Sequence, residues 1–230
     1  TTEIYTLSLH DALPISLIYG KPDEQPFRED SPIGPERFSE YARTKYAGDE
    51  IAWSLYRKKG LPLVVIYPGG VMGPDHARLG TNQYISDIIE RRIPALGLYD
   101  SVLTFVDVRD VAEVIVRAAE KENNLGARYM AGKHALTLRE YYRKIHDYSG
   151  IPLPLGPLPI PMINTIASML TGLANLTGRP PLWGICNDQN RTFREGFYYD
   201  GTKSERELGV TYTPIETTIA ETIDYLRKKE

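Results

Sequence analysis

Residues 61–67 read Leu-Pro-Leu-Val-Val-Ile-Tyr, a run rich in β-branched residues with no polar position alternating through it. A strand with one wet face alternates apolar and polar residues, so this run predicts a strand buried on both faces, as in a parallel sheet. Parallel strands need a crossover between them, usually a helix. Just ahead, residues 39–59 read as a helix and Gly60 as its stop. Helix, glycine and buried strand make the αβ half of a βαβ unit, which commits the chain to an α/β fold.

The rest of the chain fits that frame. Residues 16–20 read as a strand end closed by Gly20. Pro35 and Glu36 are expected to open the long helix, whose apolar stripe reads Phe38, Tyr41, Ala42, Ala47, Ile51, Ala52 and Leu55. A helix is expected at 82–93 and a strand at 101–106. A helix at 108–121 is capped by Asp107, a strand follows at 128–131, and a helix at 138–148 is capped by Thr137 and ended by Gly150. Residues 151–161 carry five prolines, a stiff extended crossing. Residues 162–177 read as a helix packed on the body or covering a cleft, with Ile163, Ile166, Leu170 and Leu173 in one stripe. Residues 178–199 read as irregular or weakly helical, 202–208 as a short helix ended by Gly209, and 214–229 as a last amphipathic helix.

Composition bounds the function. The 230 residues suffice for one sizeable domain or somewhat more, and the net charge of −3 offers no basic field for nucleic acid. Cys186 is the sole cysteine, which excludes a disulfide framework and fits a reducing, cytoplasmic setting. It lies in a segment without a visible base partner and is read as inert. His76, His134 and His146 show no ligand spacing, so no metal site is expected. No apolar run reaches the roughly 20 residues of a membrane span.

The chemistry points to Tyr41-Ala-Arg-Thr-Lys45. A tyrosine and a lysine four apart stand one turn apart on one helix face. A free tyrosine has a pKa of about 10 and is a poor base at neutral pH; bringing it near 7 takes roughly 4 kcal/mol. An ammonium at about 4–5 Å supplies roughly 3–4 kcal/mol at an effective dielectric near 20. On its own the spacing is common on solvated helix edges. The stretch Pro68-Gly-Gly-Val-Met-Gly-Pro74, directly after the buried strand, adds weight, because ligands of open parallel sheets sit just beyond the strands' carboxyl ends and glycines there let a flat ligand approach the backbone.

Six patches in order resemble the extended short-chain dehydrogenase/reductases of the NAD-dependent epimerase/dehydratase family, in particular the dihydroflavonol-reductase-like branch. They are Ser16-Leu-Ile-Tyr-Gly, Tyr41-Ala-Arg-Thr-Lys, Tyr67-Pro-Gly-Gly-Val-Met-Gly-Pro, Phe105-Val-Asp-Val-Arg-Asp-Val-Ala, Leu176-Thr-Gly-Arg-Pro-Pro and Glu207-Leu-Gly-Val. The resemblance covers residue 16 to the end. It implies the C-terminal part of a Rossmann-type doubly wound parallel sheet, residues 16–150, with a small, mostly helical substrate-binding region, residues 151–230, interleaved with it. It implies an NAD(P)-dependent oxidoreductase or epimerase, with NAD or NADP as cofactor, NADP favoured, and a small-molecule substrate. Tyr41 would move the proton and also contact the cofactor, and Lys45 would lower its pKa and hold the nicotinamide ribose. Pro68, Gly69, Gly70 and Val71 would line the nicotinamide, while Met72, His76, Arg78 and the 162–177 helix would face the substrate. A homodimer through the 39–59 helix is also implied. The rival expectation is a non-catalytic, cofactor-sensing regulator on the same fold.

Two departures from the pattern stand out. The family places a serine or threonine four residues before the tyrosine of its Tyr-Gly turn, where this chain has Ile15. Ser16 is carried as a candidate catalytic residue, although in a strand it would point to the opposite face. No Gly-x-x-Gly-x-x-Gly loop occurs in the chain. Residues 5–15 also look like one reading frame of a DNA-sequencing adapter, so residues 1–15 are expected to be a non-native scar ahead of an N-terminally truncated fragment. The chain by itself is expected to be inactive.

Overall fold

The computed structural model describes residues 18–20, 25–34, 36–37, 39–74, 80–195 and 197–228. Ser16, His76 and Arg78, and the helix opening expected at Pro35, lie outside the described residues.

The long helix α1, Glu40–Lys59, starts where Ser39 accepts the Ala42 amide at 3.1 Å, and Gly60 at φ 66° ends it. Glu36 is not helical, and the helix begins where the Ser39 hydroxyl satisfies one of its otherwise bare first amides. The buried face also differs from the expected stripe. Ala42, Asp49 and Trp53 face inward, while Ile51 is 62% exposed. A carboxylate sits on that face because Tyr67 donates to Asp49 at 2.8 Å, and Arg128 stacks over Trp53.

After Gly60 come β1, Val65–Pro68, and β2, Gly70–Met72. β1 runs parallel to β4, Arg128–Ala131, in the register Val65↔Arg128 to Pro68↔Ala131. β2 runs parallel to β3, Val102–Asp107, with Gly70 opposite Phe105. Pro68, Gly70, Val71 and Met72 are therefore strand residues rather than a loop beyond the strand. The chain changes partner at Gly69, whose amide still donates to Ala131 at 3.0 Å. A side chain at 69 would strike the Tyr199 hydroxyl and the Thr104 carbonyl. Tyr199 thus fills the seam between the two ladders, donating to the Ala131 carbonyl at 3.0 Å.

β5, His134–Thr137, adds an antiparallel edge to β3. Its four residues carry no strand pattern, and only the pairing to β3 defines them. Ile18 and Tyr19 form a 3-10 turn instead of a strand, closed by Gly20 at φ 64°. Tyr19 stacks on Phe27 and meets the Tyr67 ring edge-on.

Helices cover both faces, the doubly wound α/β architecture. α2, Gly80–Ile89, α4, Leu138–Ser149, and α8, Ile215–Arg227, pack with Tyr67, Met72 and Phe105 on one side. α3, Val108–Glu120, and α7, Thr202–Leu208, cover Val71, Val106 and Tyr129 on the other. Side chains alternate along β3, Phe105 inward to one layer and Val106 to the other, as the pleat requires. α5, Ile160–Thr177, and α6, Asn187–Glu195, pack on each other beside the sheet. Among the described residues no helix is long and apolar enough to cross a membrane.

Asp107 ties β3, α3 and α8 together. It accepts the Arg109 amide at 2.9 Å, the Arg109 guanidinium at 2.7 and 2.8 Å, and the Thr218 hydroxyl at 2.9 Å. Burial works to raise this carboxyl, but the Arg109 and Thr218 hydrogen bonds outweigh it and hold it below its usual value. A depressed folded pKa contributes stability that is present above the unfolded value, about 4, and is lost as pH falls through the folded value. Asp107→Asn keeps a capping side chain but removes that charge. Subtracting its urea-unfolding profile from that of the unsubstituted chain is expected to leave a stability difference above about pH 4 that shrinks below it.

Candidate active-site cleft

The N-terminal turn of α1, strand β2 and the start of α2 converge on one opening. Tyr41 lines it with Ser39, Gly70, Val71 and Thr81, and the cleft holds about 360 Å³. Its floor is aromatic. Phe105 of β3 stacks on Tyr141 of α4 at 4.7 Å, and Tyr84, Tyr142 and Phe193 complete the wall. At the rim, Asp188 at the start of α6 accepts the Glu40 amide at 2.9 Å, joining the N-termini of α1 and α6.

Lys45 stands one turn beyond Tyr41, its ammonium 5.3 Å from the tyrosine ring centre, within cation–π range. Tyr41 is half-buried against the core. The expected pair is therefore together, with Tyr41 on the cleft wall and Lys45 above its ring. Gly70 and Val71 line the cleft as well. Pro68 and Gly69 do not line it: both are buried in the ladder, and the Gly69 face is taken up by Tyr199. Met72 does not line it either, being 0% exposed in the core between the sheet and its helices. At Gly70 a Cβ would come within 2.9 Å of the Phe105 ring.

The tyrosines of the floor are held by burial in their protonated form. Burial pushes the Tyr84 phenol up to about 12 and raises those of Tyr141 and Tyr142. None of the three can accept a proton near neutral pH. Their ring faces shape the cleft, and they escaped sequence reading because they come from α2 and α4, whose helical stripes look like ordinary core. Phe193 escaped because α6 lies in a stretch whose pattern is irregular or only weakly helical and marks no buried face. Its first amide is capped at 2.9 Å by Thr171 of α5, a partner 16 residues away that no local pattern announces. Of the 162–177 helix, Ile163 and Ile166 line a hollow that adjoins this cleft, whereas Met162 is exposed. Among the described residues no group of three or more His, Cys, Asp or Glu side chains is placed to hold a metal ion.

This arrangement, a hydroxyl and an ammonium beside an apolar cleft at the edge of a doubly wound sheet, coincides with a sequence match. Residues 16–132 match the NAD dependent epimerase/dehydratase family. The chain belongs to that family, and its fold is the Rossmann type. It is 25% identical over 81% of its length to the Synechocystis sp. protein named "Putative dihydroflavonol 4-reductase", covering 54% of that protein. It is 26% identical over 86% of its length to sterol demethylase protein B of Methylococcus capsulatus, covering 59% of it. The chain thus spans a little over half the length of the curated relatives it matches. Among solved structures, UDP-glucuronic acid 4-epimerase from Bacillus cereus, in complex with UDP-glucuronic acid and NAD, superposes with a TM-score of 0.69. That match has 17% identity and covers 95% of this chain and 61% of the epimerase.

Proposed function

We propose that the whole protein is an NAD(P)-dependent oxidoreductase or epimerase acting at a hydroxyl- or keto-bearing carbon, with NADP the favoured cofactor. The observation that carries this reading is the placement of Tyr41 on the cleft wall with the Lys45 ammonium over its ring. The donor set suits the nicotinamide end of such a cofactor. An ammonium and a phenol can hold a ribose diol, and Gly70 and Val71 offer a low wall for a flat ring. When bound, the nicotinamide supplies or accepts the hydride.

Tyr41 gives its phenolic proton to a ketone oxygen or takes one from a carbinol hydroxyl. Lys45 stabilises the phenolate form and so brings the tyrosine within reach of neutral pH. The aromatic floor keeps water from the reacting carbon and strengthens the lysine's effect by lowering the local dielectric. Ser16, His76 and Arg78 keep only the roles the family resemblance implies.

Lys45→Met tests this division of labour. In the whole protein the substitution is expected to move the tyrosine-dependent limb of the kcat/KM profile to higher pH by roughly 2 units. It also weakens cofactor binding. An unmoved limb would remove Lys45 from the mechanism. We further propose a homodimer through the outer face of α1, where Ile51 is exposed. Sedimentation at micromolar concentration is expected to give a dimer that Ile51→Lys splits, and a monomer in both cases would refute it.

A further inference from the structure

A second hollow adjoins the cleft beside Tyr41. This side chamber holds about 140 Å³ and is walled by Ile93 and Gly97 from the turn after α2, Leu158 from the proline-rich crossing, and Ile163 and Ile166 of α5. The two hollows share Tyr84, Leu138, Tyr142, Gln189 and Phe193 as a common wall. The tyrosines of that wall are pinned. Tyr142 donates to the Gly97 carbonyl at 3.3 Å, and the two hydroxyls lie 3.1 Å apart, so the proton between them comes from Tyr84. Their polar atoms are thereby occupied with each other and with backbone, and what they offer a ligand is ring surface. The Phe193 ring stands 6.3 Å from Tyr84 without any hydrogen bond to restrain it.

The chamber's size and lining bound what fits. Its lining is mostly apolar, with the Gln189 and Asn190 amides as its polar exceptions, and a hollow of about 140 Å³ matches the roughly 150 Å³ that a benzene-sized group fills. Asp188 is the one charged side chain among the described residues lining either hollow, and its sign opposes a diphosphate, which calls for arginine or lysine. Resting on the oxidoreductase reading above, we propose that the side chamber is a substrate subsite. It accepts an uncharged apolar arm, about one ring in size, from a secondary alcohol or ketone whose reacting carbon stands at Tyr41. Tyr84, Tyr142 and Phe193 form the threshold between the reacting carbon and the arm.

The test compares three probes with the whole protein and its nicotinamide cofactor: benzylacetone, butanone and UDP-glucose. Burial of the phenyl ring is expected to give benzylacetone a kcat/KM about a hundredfold above that of butanone. Ile166→Trp, which fills the chamber, is expected to collapse that ratio to within a few-fold of one. Leu158→Phe narrows the chamber from its other side and is expected to do the same should the tryptophan variant fail to fold. A ratio that survives both substitutions, or a higher kcat/KM for UDP-glucose than for benzylacetone, would overturn the subsite while leaving the oxidoreductase reading in place. Binding of the cofactor with turnover of none of the three probes would sink that reading, and the subsite with it.

Discussion

Tyr41→Phe is expected to lower kcat/KM of the whole protein about a thousandfold, in the middle of the range for loss of a general acid–base group. Phenylalanine keeps the ring that Lys45 overlies at 5.3 Å and that packs against the core. The helix, the cleft wall and the cation–π contact therefore all persist. What disappears is one hydroxyl, so cofactor affinity, read by nicotinamide fluorescence, should change no more than a few-fold. Tyr84, Tyr141 and Tyr142 cannot take over the task, because burial raises all three phenols. A variant that keeps full turnover would remove Tyr41 from the chemistry. A whole protein that binds the cofactor but turns over nothing, with or without the substitution, would favour the cofactor-sensing regulator.

Gly69→Ala is expected to destabilise the fold by about 3 kcal/mol, near the upper end for overpacking a well-filled core. For a chain of this size that is a fall in Tm of about 10 °C. The reason is local. The new methyl meets the Thr104 carbonyl at 2.5 Å and the Tyr199 hydroxyl besides. A backbone carbonyl of a central strand cannot step aside, and Tyr199 is held by its bonds to Ala131 and Thr104. Gly70→Ala next door meets the Phe105 ring at 2.9 Å, a side chain rather than a backbone carbonyl. It is expected to cost less stability while pushing into the cleft and raising KM. Calorimetric melts of the two variants would separate a glycine required by packing from one that borders a ligand. Equal melting temperatures would refute the distinction.

These two glycines show how far the sequence could be read. The apolar run at 61–67 announced a parallel strand, and β1 and β2 are parallel, but nothing local marked the change of partner at Gly69. That break exists because Tyr199, 130 positions later, needs the space. Caps written in short-range code were legible: Gly60, Asp107, Thr137, Gly150 and Gly209 all end or begin helices as their residue types predict. Features whose partners are distant were not. Asp49 looks like a solvated helix position until Tyr67 is seen to donate to it, and the first amide of α6 is taken by Thr171, a residue of another helix. At the site, spacing alone placed Tyr41 and Lys45 together, since one helical turn is a local relation. The aromatic floor, assembled from α2, β3, α4 and α6, is a tertiary relation that no window of sequence contains.

The most direct measurement is a crystal structure of the whole protein with NADP bound. The expected result is the nicotinamide ring in the cleft against Gly70 and Val71, the Lys45 ammonium on its ribose, and the Tyr41 hydroxyl within reach of a substrate oxygen beside the ring. A nicotinamide bound outside that cleft, or one that leaves Tyr41 and Lys45 out of contact with ribose and substrate, would contradict it.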